Sequence, residues 1–264
     1  MHFHFADFYH DTQSPLHRAD ARVKVVVAFA LILLIGLTPF GAYTAYLAFF
    51  GLVMAGALIA RIDPLWVISR SLIALPFTLA AASLIFTTPG EIIGMVPGVG
   101  WPITLPGLSH FASVILKSTV STQVAVLLMF TTHFTDTLWA LGKLRLPSLL
   151  IGIVSFMYRY LFVLADEALR LIRARDSRSA VIGGDVRFGQ SLAFRARTAG
   201  GMIGNLLLRS IERSERIYLA MASRGYRGEL RQMSPPPIPA RDLLIGGVTL
   251  LIGVVILIAS LMIL

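Results

Sequence analysis

Five stretches of this 264-residue chain are apolar and free of Asp, Glu, Lys and Arg, and they leave few folds open. A helix crosses the hydrocarbon core of a bilayer with about 20 apolar residues, and about 17 is the practical minimum. Residues 42–60, 71–90, 118–135 and 243–264 meet that length, with Pro76 expected to kink the second of them. Residues 25–37 are shorter, but gain length if Lys24 extends its amine to the interface. A sixth run, 146–158, is cut by Arg159 before apolar text resumes at 160–165. The expected fold class is therefore all-α: a polytopic membrane protein with about five transmembrane helices.

Composition agrees. Charged residues are 14% of the chain, against about 25% in ordinary soluble domains. Mean hydropathy is +0.77, so lipid rather than water must cover much of the surface. The chain has no cysteine, which excludes a disulfide framework, thiolate metal ligands and a cysteine nucleophile. Residues 1–22, with His2, His4, His10 and His17 among three aspartates, do not read as a secretory signal.

The net charge of +9 is distributed in a way that sets orientation. Basic residues gather in short cytoplasmic loops of membrane proteins. With the N-terminus inside, Arg18, Arg22 and Lys24 flank the first span, and Arg61 and Arg70 fall inside between the second and third. Residues 89–109 fall outside and hold no Lys or Arg, reading as an external Pro/Gly-rich loop. Residues 143–241 carry 17 of the 23 basic side chains and 7 acidic ones, so this stretch alone is +10. A sixth crossing would put that charge outside, so 146–165 is expected in or under the inner leaflet. Lys117 departs from the scheme and is expected to snorkel.

Within the basic stretch two amphipathic helices are legible. The first carries Leu161, Leu164, Ala165, Ala168, Leu171 and Ile172 on one face and Asp166, Arg170 and Arg173 on the other. It runs out in Arg173, Ala174, Arg175, Asp176, Ser177 and Arg178, and a turn is expected at Gly183, Gly184 and Asp185. The second runs from about Gly204 to Ser223 with a stripe of Leu207, Ile211, Ser214, Tyr218 and Met221. Asp166 with Arg170, and Glu212 with Arg216, have the spacing of helical ion pairs. Gly225 is placed to end the second helix in a left-handed conformation, leaving Arg224 on its last turn. The proline-rich 234–239 then stiffens the return to the last span. The scattered Arg187, Arg195 and Arg197 read as positive-inside charge that also touches anionic lipid.

Several chemistries lack their signatures. There is no zinc-protease motif, no serine nucleophile elbow and no phosphate-binding Gly-Lys loop. Ionisable residues and paired interrupted helices, which mark the substrate path of a self-sufficient transporter, are nearly missing from the spans. The basic stretch has no aromatic stacking platform or known module for nucleic acid. His2 and His4, beside a free amine, could touch a transition metal. No carboxylate or cysteine cluster completes such a site, so residues 1–24 read as a cytoplasmic interfacial arm.

Residues 157–176 (MYRYLFVLADEALRLIRARD) and 208–226 (LRSIERSERIYLAMASRGY) resemble the two coupling helices of the T component of energy-coupling-factor (ECF) transporters, in wording nearest the cobalt-type CbiQ proteins. Residues 19–24 (ADARVK) resemble the family's Asp-Pro-Arg-x-Lys lead-in to the first span, and residues 131–147 end in its Leu-x-Leu-Pro. The resemblance implies no catalytic residue, no cofactor and no metal ligand in this chain. It implies a coupling subunit of a cobalt importer in a bacterial inner membrane, N-terminus in the cytoplasm. Its partners would be two cytoplasmic ATPase subunits, a substrate-binding membrane S component and a small accessory membrane subunit. The family's Ala-Arg-Gly docking motifs carry over to Ala174, Arg175 and Asp176, and to Ser223, Arg224 and Gly225. Asp176 stands where glycine is usual and Ser223 where alanine is usual, and Arg173 and Arg178 are near rivals of Arg175. The resulting organisation is an arm (1–24), a four-helix membrane region (25–136), a cytoplasmic coupling module (137–240) and a last span (241–264). Set against it, from a different class, is a stand-alone permease or membrane enzyme whose basic stretch binds lipid headgroups.

Overall fold

The computed structural model describes residues 14–95, 102–178, 192–228 and 237–263. These are overwhelmingly helical and form two units, one within Phe5–Leu144 and Pro235–Leu264, the other within Arg145–Ser234. The histidine-rich start, the turn at Gly183, Gly184 and Asp185, and Arg187 lie outside the described residues.

The first unit begins with a short helix α1 (Pro15–Arg18), then α2 (Ala21–Leu37) and α3 (Tyr43–Ile59). A broken helix follows, made of α4 (Pro64–Ser71), α5 (Leu75–Thr78) and α6 (Leu84–Thr87), joined by 3₁₀ turns over Leu72–Ala74 and Leu79–Ser83. Its two halves are bent by 59°. Pro76 sits in the middle of the break, where its missing N–H and ring disfavour a straight helix. Within the expected external loop, β1 (Ile92–Met95) pairs antiparallel with β2 (Pro102–Thr104). α7 (Leu105–Thr131) then starts 13 residues before the apolar run at 118. Thr104 explains the early start, since its hydroxyl accepts from Gly107 N at 3.2 Å and donates to Thr88 O at 2.9 Å. α8 (Phe134–Lys143) and, after the second unit, α11 (Ala240–Ile263) complete the unit.

The surface of this unit differs from that of a water-soluble protein. Ser71, Ser113 and Gln123 are fully buried, whereas Leu47 is 72% and Leu33 65% exposed. A surface of large aliphatic side chains around a partly polar interior is what a lipid solvent permits. The core packs Ala28, Leu31 and Ile35 of α2 against Phe49 and Val53 of α3 and Val120 and Val124 of α7. α11 lies against α2 at Gly246 and Gly253, which with Ser260 form a row of small buried residues seven apart. Such spacing returns to one helix face every two turns and lets backbones approach. α7, α11 and a helix of the second unit, Ser148–Arg178, are long and apolar enough to span a bilayer, and the bent pair counts as a fourth if taken as one span. α3 is a shorter apolar helix.

The second unit holds α9 (Ser148–Arg178) and α10 (Leu192–Ser223). Arg159 does not divide α9: the sixth apolar run and the amphipathic text after it are one helix of 31 residues. An arginine has good helix propensity, so a charge alone gives no reason to stop. α10 starts 12 residues earlier than the periodicity suggested, at Leu192 rather than Gly204.

Candidate functional site

α9 and α10 meet around a carboxylate. Glu167 is 7% exposed, and apart from Gly152 it is the one buried residue of α9. Its Oε1 accepts from Arg209 at 3.2 Å and its Oε2 from Arg213 at 2.9 Å. Arg209 and Arg213 stand one turn apart on α10, so each carboxylate oxygen meets its own guanidinium. Glutamate is rarely buried unless paired in this way. The expected pairs Asp166–Arg170 and Glu212–Arg216 do not form among the described residues; all four side chains are exposed.

The facing stripe of α10 keeps the expected Met221 but is otherwise displaced by one residue from the expected one. Leu206, Ser210, Arg213, Ile217 and Met221 are half-buried, while Leu207, Ile211 and Tyr218 are 59%, 49% and 60% exposed. The apolar count favours the outer stripe, but the Glu167 pairings demand that Arg213 face α9. On α9 the expectation fares better: Leu164, Ala165, Ala168 and Leu171 are half-buried and Asp166, Arg170 and Arg173 exposed, although Leu161 and Ile172, at the edges of the expected face, are exposed as well. Beside the clasp lies a groove of about 300 Å³ lined by Phe156, Tyr160, Leu164, Arg213, Ile217 and Met221, among others.

The expected anchor residues terminate these helices. Ala174, Arg175 and Asp176 occupy the last turns of α9, with Arg175 half-buried and Ala174, Asp176, Arg173 and Arg178 exposed. Ser223 is the last residue of α10, and Arg224 and Gly225 follow it, all exposed. Gly225 has φ +82°, the left-handed conformation expected of it. Tyr226 N donates to Met221 O and Gly225 N to Ala222 O, both at 3.0 Å. This double bond pattern closes the helix sharply and presents Arg224 at the cap. Along the helix axes, Arg175 is about 12 Å beyond Glu167, and Arg224 about 16 Å beyond Arg213, at 1.5 Å per residue.

In the first unit, residues 19–24 tie several helix ends together. Asp20 caps α2, accepting from Arg22 N at 2.8 Å and pairing with the Arg22 side chain at 2.6 Å. That bond holds the Asp20 carboxyl below the usual aspartate range. Asp20 N donates to Asp242 of α11 at 2.9 Å, and Arg22 lies 5.0 Å from the ring centroid of Trp139 on α8. Lys24 Nζ donates to Thr131 O, the last residue of α7, at 2.8 Å. Lys117 does the same at another helix end, donating to Gly36 O of α2 at 3.1 Å while lying 4.4 Å from the Phe40 ring centroid. Its amine thus meets a helix C-terminus, whose partial negative charge attracts a cation. Among the described residues no group of three or more His, Cys, Asp or Glu side chains could hold a metal ion.

Helices of this length and hydropathy, wrapped in aliphatic surface, define an all-α polytopic membrane protein. A model of the family described as cobalt transport protein, CbiQ, matches residues 12–235, and the chain belongs to that family. It is 28% identical to the cobalt transport protein CbiQ of Rhodobacter capsulatus over 161 residues, 61% of this chain and 59% of that one. It is 30% identical to an uncharacterized protein of Methanocaldococcus jannaschii over 60% of this chain and 52% of the relative. It thus spans a little over half the length of these curated relatives. Similarity to the energy-coupling factor transporter transmembrane protein EcfT of Heliobacterium modesticaldum is more extensive, 29% identity over 81% of each chain.

Proposed function

We propose that this chain is the transmembrane coupling subunit of an ECF-type importer for cobalt ions. It passes the conformational change of two cytoplasmic ATPase subunits to a separate substrate-binding membrane subunit. The observation that carries this reading is the pair of arginine-bearing ends, at Arg175 and Arg224, on two long helices pinned together by Glu167. A guanidinium is always charged and offers a fork of donors, so each end can make charge-assisted bonds in a groove of a partner. Two such anchors on rigid helices turn closure of an ATPase dimer into movement of the helices. The positive-inside distribution supports an N-terminus in the cytoplasm of a bacterial inner membrane and a cytoplasmic coupling module over residues 137–240. Although α9 is long enough to cross, the +10 charge that follows 143 favours a place at the inner leaflet.

Co-expression with the neighbouring ATPase genes tests the reading. The ATPases should purify with the wild-type chain, and Arg175→Glu or Arg224→Glu should weaken that association and abolish cobalt uptake by vesicles. Membrane insertion should be unchanged, and Arg187→Glu should do little. Equal effects at all three positions would point to a diffuse basic surface, and failure of the wild-type chain to retain ATPases would sink the coupling role.

A further inference from the structure

We propose that Glu167, with Arg209 and Arg213, is the pivot at which α9 and α10 cross and about which their arginine ends swing. This rests on the coupling reading and names the positioning residue it requires. Two helices joined by an apolar core are locked by interdigitated side chains. Here the best-buried side chain at the joint is a carboxylate, and no described side chain of α10 is buried. The joint is therefore held by two directional, charge-assisted bonds, 3.2 Å and 2.9 Å long, at one point.

Three features make that point a hinge rather than a weld. The groove of about 300 Å³ beside it leaves Phe156, Tyr160 and Leu164 of α9 incompletely packed on Ile217 and Met221 of α10. Closely packed interfaces resist changes of angle, and a void of this size does not. Arg213 also keeps a second nitrogen, Nη1, buried and without a hydrogen-bond partner, a donor in reserve for a changed angle. Lastly, the two arginines one turn apart let the carboxylate keep its charge paired if α10 tilts or shifts. The clasp fixes where the helices cross while the groove lets their arginine ends swing.

The absence of cysteine makes the test direct. Spin labels go on cysteines at Ile172 and Leu219, both exposed and outside the docking motifs, in the full complex with its ATPases, with and without ATP. In the wild type the inter-label distance should be narrowly distributed in each state and shift with ATP. Glu167→Gln keeps the shape and removes the charge. It should retain the ATPases and their hydrolysis, lower cobalt uptake per ATP by at least about tenfold, and broaden both distributions. Arg213→Gln should act in the same direction, and Arg209→Gln, whose side chain is 56% exposed against 31%, more weakly. Unchanged distributions and uptake per ATP in Glu167→Gln would overturn the pivot. So would parallel loss of ATPase association and hydrolysis, which marks a merely structural residue. A wild-type complex that captures no ATPase would instead refute the coupling reading itself, distinguishing the two failures.

Discussion

Placing a methyl group at Gly246 should destabilise the protein although alanine is the better helix former. A Cβ at Gly246 would lie 2.5 Å from Val23 Cγ1 and 3.2 Å from Val27 Cγ2 on α2. The first distance is below any ordinary contact, and the obstacle is stiff, because a β-branched side chain in a helix has one strongly preferred rotamer. Relief requires an unfavourable valine rotamer or a shift of α11 from α2, and overpacking of this kind costs about 1–3 kcal/mol. The gain in helix propensity from Gly to Ala is about 1 kcal/mol at most. Taking the middle of that overpacking range, the net expectation for Gly246→Ala is a loss of about 1 kcal/mol, seen as a lower midpoint of thermal unfolding in detergent by tryptophan fluorescence. Gly253→Ala is the internal comparison. Its Cβ would lie 3.0 Å from Leu34 Cδ1 and 3.1 Å from Leu31 Cδ2, both ends of flexible side chains. It should be near neutral. Val23→Ala removes the atom in conflict, so Val23→Ala with Gly246→Ala should melt above Gly246→Ala alone. If Gly246→Ala melts with the wild type, or the second substitution gives no relief, the close approach of α11 and α2 is wrong.

Lys24→Met should cost about 1–3 kcal/mol by leaving the terminal carbonyl of α7 without its charged donor, again read as a lower unfolding midpoint. Gly225→Val should fray the end of α10, since a β-branched residue at φ +82° is strained by about 1–2 kcal/mol or more. ATPase retention should fall with it, while Gly204→Ala, with open space around its Cβ, should retain the ATPases fully.

Much of the fold is legible along the chain because a bilayer imposes a local rule. Every backbone polar group within it must be satisfied inside its own helix, so apolar length reports helices directly. The break at Pro76, the end of α10 at Gly225 and the exposure of Arg224 are likewise local consequences of ring geometry, left-handed backbone and a helix cap. Periodicity was a poorer guide on α10, where the outer stripe of Leu207, Ile211 and Tyr218 is as apolar as an inner one. In lipid or at its surface an apolar face has no need to turn inward. The seven-residue spacing of Gly246 and Gly253 is the one mark the α2–α11 contact leaves in the sequence.

Glu167 carried no such local signal. It stands beside Asp166 in a helix of many charges, and Asp166 has the better spacing for an intrahelical pair. Which of the two is buried depends on where α10 crosses, and so on residues 42 and 46 positions away. The same holds for Lys24 and Lys117, whose partners are carbonyls at the ends of other helices. The sequence by itself determined the apolar spans, the placement of positive charge and the two helix ends that carry Arg175 and Arg224, because each depends on neighbours within a few turns. Only the tertiary structure decided which charged side chains are buried, because burying a charge costs several kcal/mol unless a partner from another element meets it.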